Sequence, residues 1–596
     1  MKTVPERLAA FRAAMAKANC DYFIIPSSDA HASEYAPAHD TPWEYFSGFS
    51  CENCNLVIGS LEAALWVDGR FFGAADAALE GTGIDSLHMG VKGVPTLNEW
   101  LARRLTEGKV LGYCAETMPL RQKRSLAALC KKQGAKLVDL PLVDEVWTED
   151  RPALPSSPAW ILDDAHAGES PAHKLSRFRA ALEAKQCTAA VITKLDSVAW
   201  LLNLRASDVD CTPYALAFCY VDLKKAVLFM DASRLSKEAA QQLKNAGVEI
   251  KGYRDMPGFI AEIDHPQTVL AEPASLNAAL DAALWSNKNC MVLEGEDPIN
   301  MMKAVKNETE LACTRKAHLR DGAAMVRFQM EMEKRMAAGE ALRETDIDTI
   351  LHKYRSSVSD FITESFPTIA AYGDNAAKMH YAPHVGSDAE IGRKGYLLID
   401  SGATYYDGTT DITRTYAMGP VTDSEKLDYT RVLRCHIDMA MAVWRAGATG
   451  GELDMIARQP MWKHQLDYRC GTGHGVAHVG AVHEGPQSLR PHNPVVFEPG
   501  MVITDEPGIY EEGHLGIRIE NELVCVEAGE SEYGRYLKFE PLTYVPIDTS
   551  CVLPGELTKE EKEWLNWYHG QVLLKLKPLL SEEEYQWLQV KCAPVA

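Results

Sequence analysis

The stretch Tyr396-Leu397-Leu398-Ile399-Asp400, followed by Asp407-Gly408 and Thr409-Thr410-Asp411-Ile412-Thr413-Arg414-Thr415, decides how the last third of the chain is read. An apolar run that ends in an acid reads as a buried strand. Asp-Gly is a strong short turn signal, and the β-branched alternation after it reads as a returning strand. A hairpin of this kind folds Asp411 back beside Asp400. Side chains alternate with period two, so Asp411, Thr413 and Thr415 share one face. The threonines are then placed to orient the carboxylate.

The pattern recurs further along. Met501-Val502-Ile503-Thr504-Asp505-Glu506-Pro507 reads as a strand stopped by proline, Glu512-Gly513 as its turn region, and Leu515-Gly516-Ile517-Arg518-Ile519-Glu520 as the return. Alternation sends Ile517 and Ile519 one way and Arg518 and Glu520 the other. Between the two units lies His474, in Gly471-Thr472-Gly473-His474-Gly475. A single acid beside a turn is more often a turn former than a ligand. Four acids on two such units, with a glycine-flanked histidine between them, are different. Burying them without a cation costs roughly several kcal/mol each. The expectation is a two-metal hydrolytic centre. Oxygen-rich, thiolate-free donors suit Mn²⁺ or Mg²⁺, with Zn²⁺, Co²⁺ and Fe²⁺ as alternatives, and manganese is favoured. No helical His-Glu-x-x-His string points to a mononuclear zinc site.

At 596 residues the chain is too long for one core. With 46% hydrophobic and 24% charged residues it reads as globular throughout. No apolar run approaches the ~20 residues of a membrane helix. Met1 to Cys20 reads as an amphipathic helix, without the apolar stretch of a signal peptide. A formal net charge of −22 argues against nucleic acid as a partner. The expectation is an acidic cytoplasmic protein. Its 15 cysteines are an odd number without a framework, which suits free thiols in a reducing compartment. Cys51 and Cys54 form a lone Cys-x-x-Cys before a strand, read as structural.

Two early segments share one pattern. Asp21 to Ile25, Ser28-Asp29, Trp43 to Phe49 and a strand to Ile58 lead into Ala63 to Asp68. Ala189 to Thr193, Asp196-Ser197, Trp200 to Leu204 and a strand from Tyr214 to Val221 lead into Ala226 to Asp231. Helical stretches such as Leu120 to Gln133 and Leu235 to Ala246 alternate with them, so two similar α/β domains are expected in tandem. A proline-rich linker from Arg151 to Pro158 and a second boundary near Lys303 to Asn307 divide the chain into 1–154, 155–305 and 306–596. The third part mixes long helices with strand hairpins, an α+β pattern. Its tail is expected to be helical, with Thr558 and Glu561 in a capping box. Trp564, Leu565, Trp567 and Tyr568 supply an apolar face there for packing or a dimer contact.

These residues carry a resemblance. Asp400-Ser401-Gly402-Ala403, Asp407-Gly408-Thr409-Thr410-Asp411, Gly471 to Gly475, Val482-His483-Glu484-Gly485-Pro486, Thr504 to Gly508 and Gly516 to Asn521 resemble the pita-bread fold of creatinase, methionine aminopeptidase, prolidase and aminopeptidase P. Ser28-Asp29-Ala30-His31 with Ser33-Glu34-Tyr35, Trp147 to Pro152, and Phe539 to Thr543 look like the three-domain cytosolic Xaa-Pro aminopeptidases. The resemblance implies two creatinase N-terminal-like α/β domains before a pita-bread domain, and hydrolysis of the bond before a penultimate proline. By it, Asp400 chelates one metal, His474 and Glu506 the other, and Asp411 and Glu520 bridge them. His380 and His483 match substrate-side histidines; Glu506 would hold the proton of the attacking water, and Arg518 would balance charge. A peptide substrate and a homodimer are implied. A prolidase-like dipeptidase and a non-catalytic peptide binder are the alternatives. Cys470 stands where family members typically carry histidine, and a thiol cannot act there as a cationic donor at neutral pH.

Overall fold

Two six-stranded sheets with the same strand order come first in the chain. The computed structural model describes residues 2–379 and 381–596. It divides into two compact units: one of residues 1–161, 169–210 and 214–299, the other of 162–168, 211–213 and 300–596.

In the first unit, the first sheet runs Asp85–His88, Ala63–Val67, Cys54–Gly59, Tyr22–Pro26, Val110–Tyr113, Lys136–Asp139. The second runs Val248–Lys251, Ala226–Phe229, Phe218–Asp222, Ala189–Ile192, Gln267–Ala271, Cys290–Glu294. In each sheet the first three strands in sequence pair antiparallel, and the others join in parallel. The parallel members require helical crossovers, which supply the alternation seen in the sequence. The helix Val4–Lys17 buries Leu8, Phe11 and Met15, a spacing of three and four residues that forms one stripe. Helix Leu120–Gln133 has the expected bounds. The strand expected from Tyr214 starts only at Phe218. Among the described residues no helix is long and apolar enough to cross a membrane.

The second unit opens on the 30-residue helix Glu308–Ala337, capped by Asn307 and Glu310. Its sheets are small. Strand Tyr396–Ser401 pairs antiparallel with Ile412–Ala417, placing Asp400 opposite Thr413. An inner hairpin, Ala403–Tyr405 with Gly408–Thr409, turns at Tyr406 and Asp407. The later unit repeats this arrangement. Val502–Asp505 pairs with Asn521–Ser531, and the inner hairpin is Gly508–Glu511 with Leu515–Arg518. The sequence reading paired 501–507 directly with 515–520, and it ran 409–415 as one strand. Instead each unit is an outer ladder, a break and an inner hairpin, with breaks at 402, 410–411, 506–507 and 519–520. The backbones come very close at the first break: a Cβ on Gly402 would lie 1.9 Å from the Thr410 carbonyl oxygen. Only glycine fits there.

Ile517 and Ile519 point into a core that also contains Leu565, Tyr568 and Val572 of helix Lys559–Leu576. That helix has the expected Thr558–Glu561 capping box. Its apolar face is narrower than expected, because Trp567 is 48% exposed.

Candidate metal centre

The breaks between outer ladders and inner hairpins deliver the acids. Asp400 sits at the end of its strand; Asp411, Glu506 and Glu520 lie in the breaks themselves. Asp400, Asp411 and Glu520 are buried. His474 arrives on the short strand Gly473–Gly475. A Cβ on Gly473 would lie 1.8 Å from the Thr504 carbonyl oxygen, so this strand lies directly against Val502–Asp505. The Glu506 N–H donates to the Thr472 carbonyl at 2.7 Å, and the His474 N–H donates to Thr504 Oγ1 at 3.0 Å. His474 Nδ1 is held at 3.0 Å from the Gly475 carbonyl oxygen. Nε2 is therefore left to face Glu506 Oε1 at 3.3 Å and Asp411 Oδ2 at 3.5 Å. Ligand atoms of Asp411, His474 and Glu520 all lie within 4.8 Å of one another.

Asp400 joins through Arg518, whose Nη2 donates to Asp400 Oδ2 at 2.5 Å. Arg518 Nε donates to Thr413 Oγ1 at 3.0 Å, and the Thr413 hydroxyl donates to Glu520 Oε2 at 2.7 Å. Thr415 Oγ1 donates to the Arg518 carbonyl at 2.8 Å. The two threonines do face the centre, but they orient Glu520 and Arg518 across the fold, not the acid on their own strand. Two contributors are given no role by the sequence. Thr504 donates to Glu506 Oε1 at 3.2 Å, a contact that period-two alternation would have revealed. Tyr510 accepts from Arg518 Nη1 at 2.6 Å, and nothing local marks it.

The electrostatics fit a cation. Asp400 Oδ1, Asp411 Oδ1 and Glu520 Oε1 are buried without a hydrogen-bond partner among the described residues. Burial pushes the Asp411 carboxyl up to about 7, against the pull of His474. Burial, then the charges of Asp411, Glu506 and Asp400, hold the Glu520 carboxyl well above its ordinary range. Burial opposes the His474 imidazolium, yet the hydrogen bond to Asp411 and the charge of Glu506 carry it up to about 10. Protons are thus forced onto groups that a divalent ion would otherwise satisfy. Four carboxylates, one imidazole and no thiolate form a donor set for two hard or borderline cations.

His483 is exposed beside the cluster, its ring edge-on to His474 at 4.3 Å between centroids. The next residue, Glu484, is buried between Lys303 and Lys306. Lys303 also donates to the Gly485 carbonyl at 3.2 Å, fixing the loop that carries His483. His380 lies outside the described residues. Burial, then the charge of Glu506, pushes the Cys470 thiol up to about 12, so it is neutral at physiological pH.

Comparison with known proteins agrees with this geometry. Residues 312–527 match the model of metallopeptidase family M24, and 535–595 match the C-terminal region of that family. Residues 7–146 and 150–310 each match a creatinase/prolidase N-terminal domain. The probable Xaa-Pro aminopeptidase P of Sordaria macrospora is 39% identical over 99% of both chains, and that of Tuber melanosporum is 36% identical over 100% of both. Among solved structures, the X-prolyl aminopeptidase of Caenorhabditis elegans, described as a cytosolic enzyme with a di-nuclear active site, superposes with a TM-score of 0.93. It is 35% identical and covered in full. The Xaa-Pro dipeptidase of Bacillus anthracis, 22% identical over 64% of this chain and 99% of its own, shares the fold with a TM-score of 0.52. Both N-terminal sheets, the paired hairpin units and the full-length relatives lead to one conclusion: the chain belongs to metallopeptidase family M24, in its Xaa-Pro aminopeptidase P group.

Proposed function

We propose that this protein is a metal-dependent aminopeptidase that hydrolyses the first peptide bond of chains with proline in second position. Asp400, Asp411, His474, Glu506 and Glu520 would hold two divalent cations, for which manganese is the expected pair. The observation that carries this reading is the cluster of Asp411, Glu520 and the His474 imidazole, with carboxylate oxygens of Asp400, Asp411 and Glu520 buried and unpartnered among the described residues. When bound, such a pair lowers the pKa of water and polarises the scissile carbonyl.

The protein's own groups do the rest. Glu506 is partly open, with 24% of its side chain exposed, and takes the proton from the attacking water. Thr504 fixes one of its oxygens. His483 and His380, the two histidines that the resemblance puts on the substrate side, donate to the oxygen that becomes negative as the carbonyl is attacked. Arg518 holds Asp400 in place. Cys470 contributes no charge. Proline explains why a dedicated enzyme is needed: it has no N–H and a fixed φ, so peptidases that grip that amide fail on it. A cytoplasmic location belongs to the same reading, supported by the relative described as cytosolic, as do a division at 154 and 305 and a homodimer.

The test is hydrolysis of Xaa-Pro-Yaa tripeptides by manganese-loaded and chelated protein. Release of the first residue only when metal is present is expected. Equal turnover after chelation, or cleavage of Xaa-Pro dipeptides alone, would refute the proposal.

A further inference from the structure

Two of the motif strings that the metal centre leaves unused meet in the first unit. Ser28-Asp29-Ala30-His31 follows the strand Tyr22–Pro26, and Arg151 closes the string that starts at Trp147. Both border one cavity of about 90 Å³. Its position follows from topology. Tyr22–Pro26 and Val110–Tyr113 are neighbouring parallel strands, but one connects onward to Cys54–Gly59 on one side and the other to Lys136–Asp139 on the opposite side. The crevice beyond the carboxyl ends of such a strand pair is where open α/β sheets bind ligands. Phe23 to Pro26, Cys114, Glu116 and Thr117 line it, and Phe218, Tyr253 and Met256 of the second sheet domain cover it.

His31 fixes that cover. Its Nδ1 lies 2.8 Å from the Thr193 carbonyl oxygen and its Nε2 2.7 Å from the Tyr253 hydroxyl, and its ring stacks on Phe218 at 4.2 Å. Acids outnumber bases along the wall: Asp40, Glu116 and Asp144 against Arg151 and Arg254. Arg151 is engaged by Asp144 and donates to the His39 carbonyl at 3.0 Å, which leaves it 3.8 Å from Asp40. The Asp40 carboxylate accepts no hydrogen bond among the described residues, and burial with the charge of Asp29 raises it to about 7. Asp29 is 2% exposed; its Oδ1 accepts the N–H groups of His31 and Ser33, while Oδ2 has no hydrogen-bond partner among the described residues. Among the described residues the pair's nearest guanidinium is therefore Arg151, which Asp144 already engages. Arg254, exposed at the rim, has no carboxylate partner among the described residues. At roughly 15 Å³ of such space per water, the cavity holds about six waters, close to the bulk of one amino acid.

We infer that this cavity binds a free amino acid as its zwitterion, with the ammonium on Asp40 and Glu116, the carboxylate toward Arg254, and the side chain against Phe218, Met256 and Leu280. The proposed hydrolysis releases such a molecule at each turnover, but the binding site stands without that reading.

The test is calorimetric titration of the manganese-loaded full chain with L-leucine, with isopentylamine, which lacks its carboxylate, and with 4-methylpentanoate, which lacks its amine. Asp411→Ala removes binding at the metal centre from the comparison. Leucine is expected to saturate a site that survives Asp411→Ala and weakens by about tenfold or more in Asp40→Asn. The amine should bind more weakly and the carboxylate not at all. Glu116→Gln, at an exposed position, decides the matter if Asp40→Asn does not fold, and it too must weaken leucine. Three outcomes overturn the inference: no saturable leucine site, a site lost in Asp411→Ala but kept in the cavity variants, or 4-methylpentanoate binding as well as leucine.

Discussion

Arg414→Met should destabilise the second unit and loosen the metal centre together. Arg414 is 1% exposed on the strand that follows Asp411. Its Nε donates to the Pro546 carbonyl at 3.1 Å and Nη1 to those of Thr413, at 2.9 Å, and Glu520, at 2.5 Å. Nη2 donates to Asn521 Oδ1 and the Val545 carbonyl, each at 2.8 Å, and contacts the Tyr568 hydroxyl at 3.1 Å. Methionine keeps much of the stem and removes every donor. The Thr413 carbonyl retains the Glu520 N–H, and the single Tyr568 hydroxyl proton serves either the Val545 carbonyl or Asn521 Oδ1. The other of those two and the Pro546 and Glu520 carbonyls are left without a donor among the described residues. Each buried acceptor left without a donor costs about 1–3 kcal/mol, so the loss is about 3–9 kcal/mol. At about 2 °C per kcal/mol for a unit of this size, the endotherm of the second unit should fall by roughly 6–18 °C in scanning calorimetry. Metal affinity should fall too, because the Glu520 backbone loses its anchor. Arg414→Lys, which keeps charge but not the fork, should recover only part of both. An unmoved endotherm with two tightly held metal equivalents would show that Arg414 is not the anchor described.

Thr413→Val removes the hydrogen bond that orients Glu520 and should weaken metal binding by roughly 10–100-fold, read by competition with a chelator; unchanged affinity would count against that role. Manganese added to chelated protein at pH 7 should release at least one proton, because His474 and part of Asp411 are protonated without a cation and the Glu520 carboxyl is raised beside them. A binding heat independent of the buffer's ionisation enthalpy would contradict this. Burial, then the charge of Arg414, lowers the His569 imidazole to about 4. Its folded pKa lies below the unfolded value, so its stabilising effect is complete above about pH 6.5 and is lost as pH falls toward 4, by up to about 3 kcal/mol. His569→Gln should flatten that part of the stability–pH curve, and an unchanged slope would sink the assignment. Lys306→Met breaks the buried clamp on Glu484 beside His483, so turnover should drop while metal content stays at two. Loss of metal instead would place the clamp's effect elsewhere.

Much of this was local information. The acids at 400, 411, 506 and 520 were legible because each ends or follows a β-patterned run, and His474 because glycines flank it. The tandem sheet domains were legible because short apolar strands and polar turns recur in the same order. The strand pairing was not. Asp407-Gly408 and Glu512-Gly513 do mark turns, but each belongs to an inner hairpin whose strands end before the acid. No residue between 400 and 415 records that Asp400 will face Thr413 and not Asp411. Gly402 was the available signal, since a glycine inside a strand pattern marks a close backbone approach.

The sequence by itself determined which side chains carry charge, where the chain turns and which face of each strand is apolar, because those properties belong to residues within a few positions of one another. The tertiary structure alone decided that Thr413 serves Glu520 from 107 positions away, that Arg518 holds Asp400 and that Tyr510 holds Arg518. It also decided that the Ser28–His31 and Trp147–Pro152 strings close one cavity. These contacts depend on how separate strands and loops pack. Packing is set by the combined burial of many side chains, which no short stretch of sequence contains.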